Sequence, residues 1–361
     1  MNKLDRFKNL FTGRFSAKDQ TFFAKRLSFL VHGGVPILES LHILSRQAKS
    51  KGKKKIFEKI IDDVANGQFL STSLAQFRGS FGDFAINLIR VGETSGILGQ
   101  NLNYLADELK KKQILRQKVL GALVYPLFIT IATLGITVLL TAYIFPKIMP
   151  IFQSLHVKLP LATRMLISVS NFIRSYGFYL GGGIAAAIII FFVLLMKVRQ
   201  FRFAFDRTLI TLPFAGKLVQ SYNMTNICRT LGLLLKSGIN VSDAASITAK
   251  TVTNLVYKNE IEATHENVLK GERISVRLEK NPRLFPDMLS HMVSIGETSG
   301  NLPDTLIYLS EMYENDVDDL TKSLSSSIEP ILMIVMGIIV GFVAVSVITP
   351  IYEITQNLTP K

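Results

Sequence analysis

Val91-Gly92-Glu93-Thr94-Ser95-Gly96 recurs as Ile295-Gly296-Glu297-Thr298-Ser299-Gly300, an offset of 296 − 92 = 204 residues. The same offset, without a gap, pairs Leu27 with Leu231, Leu30 with Leu234, Gly34 with Gly238 and Gly67 with Gly271. It continues through Ser71 and Ser275, Phe81 and Phe285, Leu98 and Leu302, and Tyr104 and Tyr308, and ends on Pro126 with Pro330 and Pro146 with Pro350. One register held over so long a stretch is an internal duplication of about 130 residues.

Three apolar runs surround the copies. Val119–Phe145, Tyr176–Met196 and Pro330–Ile348 carry no charge and are each close to the roughly 20 residues that cross a bilayer as helix. Lys110, Lys111, Lys112, Arg116 and Lys118 precede the first run, and Lys197, Arg199, Arg202 and Arg207 follow the second. Both clusters belong on the cytoplasmic side. The loop between, with Lys147, Lys158, Arg164 and Arg174, then goes outside, against a mild charge preference. No compact apolar leader stands in the first forty residues, so the N-terminus is expected in the cytoplasm and the C-terminus outside.

The duplication accounts for the odd number of spans. Each copy is a cytoplasmic domain followed by an outward span, and the unpaired second span is the return crossing. Within a copy the apolar spacing is helical: Phe22, Phe23, Arg26, Leu27 and Leu30 follow one stripe, and Met224, Ile227, Leu231 and Leu234 another. Gly33-Gly34-Val35-Pro36 and Ser237-Gly238-Ile239-Asn240 break those helices, and Glu39 and Asp243 fall in the first turn of the next. The expected fold class is an all-α membrane protein with two homologous cytoplasmic helical-bundle domains and three transmembrane helices. The expected order is an N-terminal segment 1–20, a first domain 21–118, a span 119–145 and an external loop 146–175. A span 176–196, a second domain with its leading linker 197–327, a span 328–348 and an external tail 349–361 complete it.

Charge differs between the copies. Residues 1–120 hold 21 basic and 10 acidic residues, or +11 of the total +14, whereas 197–327 hold 15 of each. The basicity fits a segment beside an anionic inner leaflet. The aromatic and glycine patterns of nucleic-acid modules are missing, so no nucleic-acid partner is expected. The single cysteine, Cys228, excludes an internal disulfide and reads as a small buried apolar residue.

The repeated motif has two readings. Structurally, Gly92 ends a helix in a left-handed conformation, Thr94 or Ser95 caps the next, and Gly96 lets two helices approach. Functionally, Glu93 and Glu297 are paired contacts at an interface or an ion-binding corner. Thr298 and Gly300 repeat Thr94 and Gly96, and Gly296 repeats Gly92.

On Gly92-Glu93-Thr94-Ser95-Gly96-Ile97-Leu98 and Gly296-Glu297-Thr298-Ser299-Gly300-Asn301-Leu302, with Phe285-Pro286, Glu329-Pro330 and Pro350, the chain resembles the GspF/PilC family. These are the platform proteins of type II secretion systems and type IV or competence pili. The resemblance covers roughly residues 20–355. It implies a bacterial inner-membrane scaffold without catalytic residues or cofactor. The implied partners are a cytoplasmic assembly ATPase, pilin or pseudopilin subunits, other inner-membrane assembly proteins, the lipid bilayer and further copies of the chain. The Gly, Glu and Thr positions of both motifs, with Pro126, Glu329 and Pro330, are the family-motif or interface residues.

Enzyme signatures are absent from the sequence. Gly52-Lys53 and Gly216-Lys217 lack the preceding glycine of a phosphate loop, and His265-Glu266 has Leu269 where a zinc helix needs histidine. A small membrane transporter or channel component is the alternative, but no ionisable side chain lies deep in any span.

The copies differ most in charge just before their outward spans, where Lys110 aligns with Glu314 and Lys112 with Asp316. Lys111 and Arg116 flank the first set, and Glu311, Asp318 and Asp319 the second. Lys110, Lys111 and Lys112 are therefore expected to attract Glu314, Asp316 and Asp318, within one chain or across a homodimer. The more basic first domain is expected to carry the ATPase contact.

Overall fold

The computed structural model describes residues 15–48, 50–144, 146, 147, 150 and 161–358, and its regular elements are all helical. The first copy runs α1 (Ala17–His32), α2 (Ile37–Arg46), α3 (Lys51–Ala65), α4 (Leu70–Ala75), α5 (Arg78–Thr94) and α6 (Leu98–Leu139). A π-helical turn, Leu140–Ile144, comes next, then α7 (Leu161–Lys197) and α8 (Arg199–Thr211). The second copy runs α9 (Pro213–Lys236), α10 (Val241–Thr251), α11 (Leu255–Leu269), α12 (Ile274–Glu279), α13 (Asp287–Ser299) and α14 (Leu302–Leu358).

The duplication holds element by element. Adding 204 carries α3 onto α11 and α4 onto α12 residue for residue, and the first residue of α6 onto that of α14. The turns match too. Gly34 and Gly238 have φ of 78° and 88°, and each sits where the preceding helix closes its last carbonyls. Val35 N–H donates to Leu30 and Ile239 N–H to Leu234 in equivalent bonds. Starts are set locally: Ser16 and Asp19 form a capping box, Ser50 caps α3, and Asn240 and Asn254 cap α10 and α11.

The chain divides into two compact units, one from residues up to Lys118 with Phe203–Asp319, the other from Val119–Arg202 with residues from Leu320 onward. The first unit holds both helical domains. In the first copy Phe15, Phe23, Phe57 and Phe81 pack ring against ring, with centroids 4.9–6.0 Å apart. In the second copy Ile227 and Ile261 stand for two of those rings, and Tyr257 packs edge-on against Phe285. Tyr257 and Phe285 are fully buried, as are Leu27, Leu41, Leu74 and Leu102 of the first copy. Helix α8, expected as linker, is helical: Asp206 accepts the N–H of Leu255 at 2.8 Å and reinforces the start of α11.

The second unit contains the apolar segments. Two helices, Leu98–Leu139 and Thr163–Lys197, are long and apolar enough to cross a membrane, and almost none of their apolar stretches is buried. Pro330–Ser346 is a shorter apolar stretch inside α14. Three boundaries differ from expectation. Residues 161–175, expected in the external loop, belong to α7, because Thr163, Leu166 and Ser170 form a buried stripe at helical spacing. Thr163 Oγ1 donates to the Ser346 carbonyl at 2.8 Å, and Ser170 Oγ donates to the Thr141 carbonyl at 2.7 Å. These hydroxyls join helices through side chain-to-carbonyl hydrogen bonds. The tail expected from residue 349 is helical through Leu358, and the first helix starts at Ala17 rather than 21, where Ser16 caps it. Helix α6 continues through Pro126, whose carbonyl accepts from Thr130 Oγ1 at 2.7 Å. Pro330 is likewise interior to α14, and the side chain of Glu329 lies outside the described residues, as do residues 151–160.

Candidate functional site

The two motifs are two copies of one joint. Helix α5 ends at Thr94, and Glu93 reaches the buried, uncapped start of α4. Leu70 N–H donates to Glu93 Oε1 at 2.5 Å and Ser71 N–H to Oε2 at 2.9 Å. In the second copy Ile274 N–H donates to Glu297 Oε1 at 2.7 Å, and Ser275 offers its N–H at 3.2 Å and its hydroxyl at 2.5 Å to Oε2. Each carboxylate thus satisfies orphan donors of a six-residue helix that has no cap of its own.

The glycines exchange the roles expected of them. Gly96 and Gly300, not Gly92 and Gly296, adopt the left-handed conformation, with φ of 70° and 75°. Gly92 and Gly296 allow the close approach. A Cβ on Gly92 would lie 2.8 Å from Leu98 Cα, and one on Gly296 would lie 3.1 Å from Leu302 Cα and 2.9 Å from Thr305 Oγ1. The reason is geometric: the chain must reverse after the helix has ended, two residues beyond Thr94 and Thr298. Thr94 and Thr298 do not cap the next helix; their hydroxyls donate backward, to the Arg90 and Val91 carbonyls and to the Ser294 carbonyl.

A second cluster lies between the copies. Arg229 of α9 is 4% exposed and bonds Glu314 of α14 through Nη2, while its Nε lies 3.6 Å from Glu108 Oε2 of α6. Glu108 is equally buried, and its Oε2 has no hydrogen-bond donor. Burial pushes the Glu108 carboxyl up to about 7, against the pull of Arg229, Lys112 and Lys111. Burial lowers the Lys112 ammonium, opposed by Glu108. Beside the cluster opens a cavity of about 340 Å³ lined by Tyr104, Asp107, Lys111, Leu233 and Ile307 among others.

The expected lysine and carboxylate sets meet only in part. Lys111 lies 3.7 Å from Glu311, and Asp318 pairs with Lys118 at 2.6 Å. Glu314 pairs with Arg229 instead of a lysine of α6. No ion pair joins Lys110, Lys112 or Asp316 to the opposing set among the described residues; burial and Asp319 raise the Asp316 carboxyl. The two pairs found lie within one chain and one turn nearer the apolar segment than expected, because α6 and α14 pair there with an offset of 200 residues rather than 204. Glu108 and Arg229 are functional candidates that the structure adds to those of the sequence. The available signal was Arg229 itself, a charge set among the apolar residues Ile227, Cys228 and Leu231. Cys228 is buried, which pushes its thiol up to about 12.

The description of type II secretion system protein F matches this chain twice, over residues 23–146 and 227–350. The two matches are themselves offset by 227 − 23 = 204 residues, the spacing of the two joints. The chain belongs to the type II secretion system F family. Among relatives of this F-family chain, the type IV pilus assembly protein PilC of Thermus thermophilus is 33% identical over 344 residues, covering 95% of this chain and 84% of its own. The type II secretion system protein F of Pseudomonas aeruginosa is 30% identical over 343 residues, covering 94% and 84%. The type IV pilus assembly protein TapC of Aeromonas hydrophila is 29% identical over 336 residues, covering 93% and 81%. In this F-family chain the joint of Glu93 and its counterpart is thus part of the repeated domain on which membership rests.

Proposed function

We propose that this chain is the inner-membrane platform of a type IV pilus or type II secretion machine, coupling a cytoplasmic assembly ATPase to the insertion of pilin-like subunits into a filament. The observation that carries the reading is the double match of the F-family domain in one chain, with both assembly and secretion relatives aligned over more than nine-tenths of it. The role is that of a scaffold: in each joint the carboxylate is engaged in holding the start of a neighbouring helix.

In this reading the two helical domains lie in the cytoplasm, and the apolar segments near 119–145, 176–196 and 328–348 are three spans, with the N-terminus inside and the C-terminus outside. Lysine and arginine beside the first two segments support that orientation. The basic first domain carries the ATPase contact through a salt-sensitive surface, pilins meet the membrane segments, and other inner-membrane assembly proteins and further copies of the chain complete the platform.

The test is a pull-down of the tagged full chain from gently solubilised membranes. Recovery of a hexameric assembly ATPase with pilin-like subunits supports the reading, and the ATPase is expected to leave first as salt is raised. Consistent recovery of a different transport or signalling complex in their place overturns it.

A further inference from the structure

The two domains meet where α10 of the second copy packs on α5 of the first, and also through one face each of α6 and α9. Helix α6 of the first copy lies antiparallel along a stripe of α9: Arg116 is in electrostatic reach of Tyr222, Glu108 of Arg229, and Tyr104 of Lys236. Those three partners lie at i, i+7 and i+14, one face of a helix. Tyr104 and Leu233 line the same cavity.

Each copy also carries the face that the other uses. Subtracting 204 carries the α9 stripe Tyr222, Asn226, Arg229, Leu233 and Lys236 onto Lys18, Phe22, Lys25, Phe29 and His32 of α1. In α9 this stripe is buried or half-buried up to Leu233; in α1 all five residues are exposed, Phe29 to 79% and Phe22 to 51%. Adding 204 carries Tyr104, Glu108 and Lys112 of α6 onto Tyr308, Met312 and Asp316 of α14. There Tyr308 is 58% exposed and Asp316 is exposed, whereas Glu108 is buried and Lys112 half-buried. One chain therefore uses one donor face and one acceptor face, and leaves one of each open.

The open faces fit one another. The α1 face is basic and aromatic, with Lys18, Lys25 and Arg26, the last stacked over Phe22 at 3.6 Å. The α14 face presents Asp316 and Tyr308 beside the half-buried Met312, while Glu311 next to them lies 3.7 Å from Lys111 of α6. We infer that α14 of one chain docks antiparallel along α1 of a second copy, repeating between chains the joint that α6 and α9 make within one. The register places Tyr308 beside Phe29, as Tyr104 lies beside Leu233, and Met312 beside Lys25, as Glu108 lies beside Arg229. Such a head-to-tail contact joins unlike faces, so successive chains form a ring where the rotation closes and an open array where it does not. Within the platform reading it deepens one point, the association of further copies; it stands on the repeat and on charge, independent of any ATPase or pilin.

The test uses two differently tagged full chains in one membrane, both with Cys228→Ala. One carries Phe29→Cys and the other Tyr308→Cys, and a short bis-maleimide is added. The expected product is a species of both tags at about twice 40.2 kDa. A third chain with Tyr104→Cys and Leu233→Cys must link internally and serves as the control for the joint. Lys25→Glu with Arg26→Glu should lower the mixed product severalfold, and Asp316→Lys on the partner should restore it. The inference is overturned if the control links while the mixed species is absent. It is equally overturned if Phe29→Cys links to itself or to another protein in preference, or if charge exchange fails to restore the product. Loss of the ATPase in the pull-down with this link intact would sink the platform reading alone.

Discussion

Glu93 and Glu297, 204 residues apart, make the same connection: each carboxylate spans the first two N–H groups of a six-residue helix that lies 22 and 23 residues before it. A helix so short cannot hold itself, since nucleation is costly and its turns are few. The carboxylate supplies an acceptor for donors that would otherwise be buried unpaired. The motif is thus an element of each domain's internal construction, repeated because the domain is repeated.

Glu93→Ala and Glu297→Ala should each destabilise the chain by about 1–3 kcal/mol, the cost of leaving such donors unsatisfied. Glutamine at either position keeps one acceptor and should recover part of the loss. Thermal unfolding of the purified chain reads both; equal stability of wild type and alanine variants would show that water replaces the carboxylate.

Gly92→Ala should cost about 1–3 kcal/mol, as overpacking does, and Gly296→Ala should cost less. At Gly92 the nearest atom is the Leu98 backbone at 2.8 Å, while at Gly296 it is the Thr305 hydroxyl, which can rotate. Thr305→Ala combined with Gly296→Ala should relieve part of the clash, leaving the 3.1 Å approach to Leu302 Cα, whereas no side-chain change relieves Gly92→Ala. Melting temperatures of the three variants order the effects.

Glu108 provides a pH dependence with a defined sign. Its carboxyl titrates near 7 when folded and near 4.5 when unfolded, so the folded chain binds the extra proton between those values. Its contribution to stability therefore falls as pH rises from 4.5 to 7, by about 3 kcal/mol in all. Glu108→Gln removes that slope: the stability of wild type relative to the variant should fall across this window and level off above it. A pH-independent difference would place the proton elsewhere. Arg229→Met leaves Glu108 and Glu314 facing each other without their cation and should cost about 3–5 kcal/mol.

Lys118 and Asp318 should behave as an exchangeable pair. Both are partly exposed, so the single reversal Lys118→Glu should cost only about 0.2–1 kcal/mol. The double variant Lys118→Glu with Asp318→Lys should return to wild-type stability. Reversing Lys110, Lys111 and Lys112 together should be compensated only at the Lys111 position, by Glu311→Lys.

Much of the fold is legible in the residues. The 204-residue register, the helical spacing of Leu27, Leu30 and their counterparts, and the breaks at Gly34 and Gly238 obey rules that act over a few residues. The external loop is where local rules fall short. Residues 161–175 carry Arg164 and Arg174 and mixed polarity, and their helical state depends on Thr163 and Ser170 finding carbonyls on Ser346 and Thr141, partners far away in the chain.

The sequence by itself determined the duplication, the all-helical class, the apolar segments and the importance of Glu93 and Glu297, because periodicity and repetition are properties of the linear order. Tertiary structure alone decided what those residues do. It turned Glu93 toward Leu70, assigned the left-handed turn to Gly96 rather than Gly92, and brought Arg229 between Glu108 and Glu314. It also buried the outer stripe of α9 while leaving that of α1 open. Each of these depends on which helix lies alongside which, and two copies of nearly the same pattern cannot both occupy the same side of a single joint.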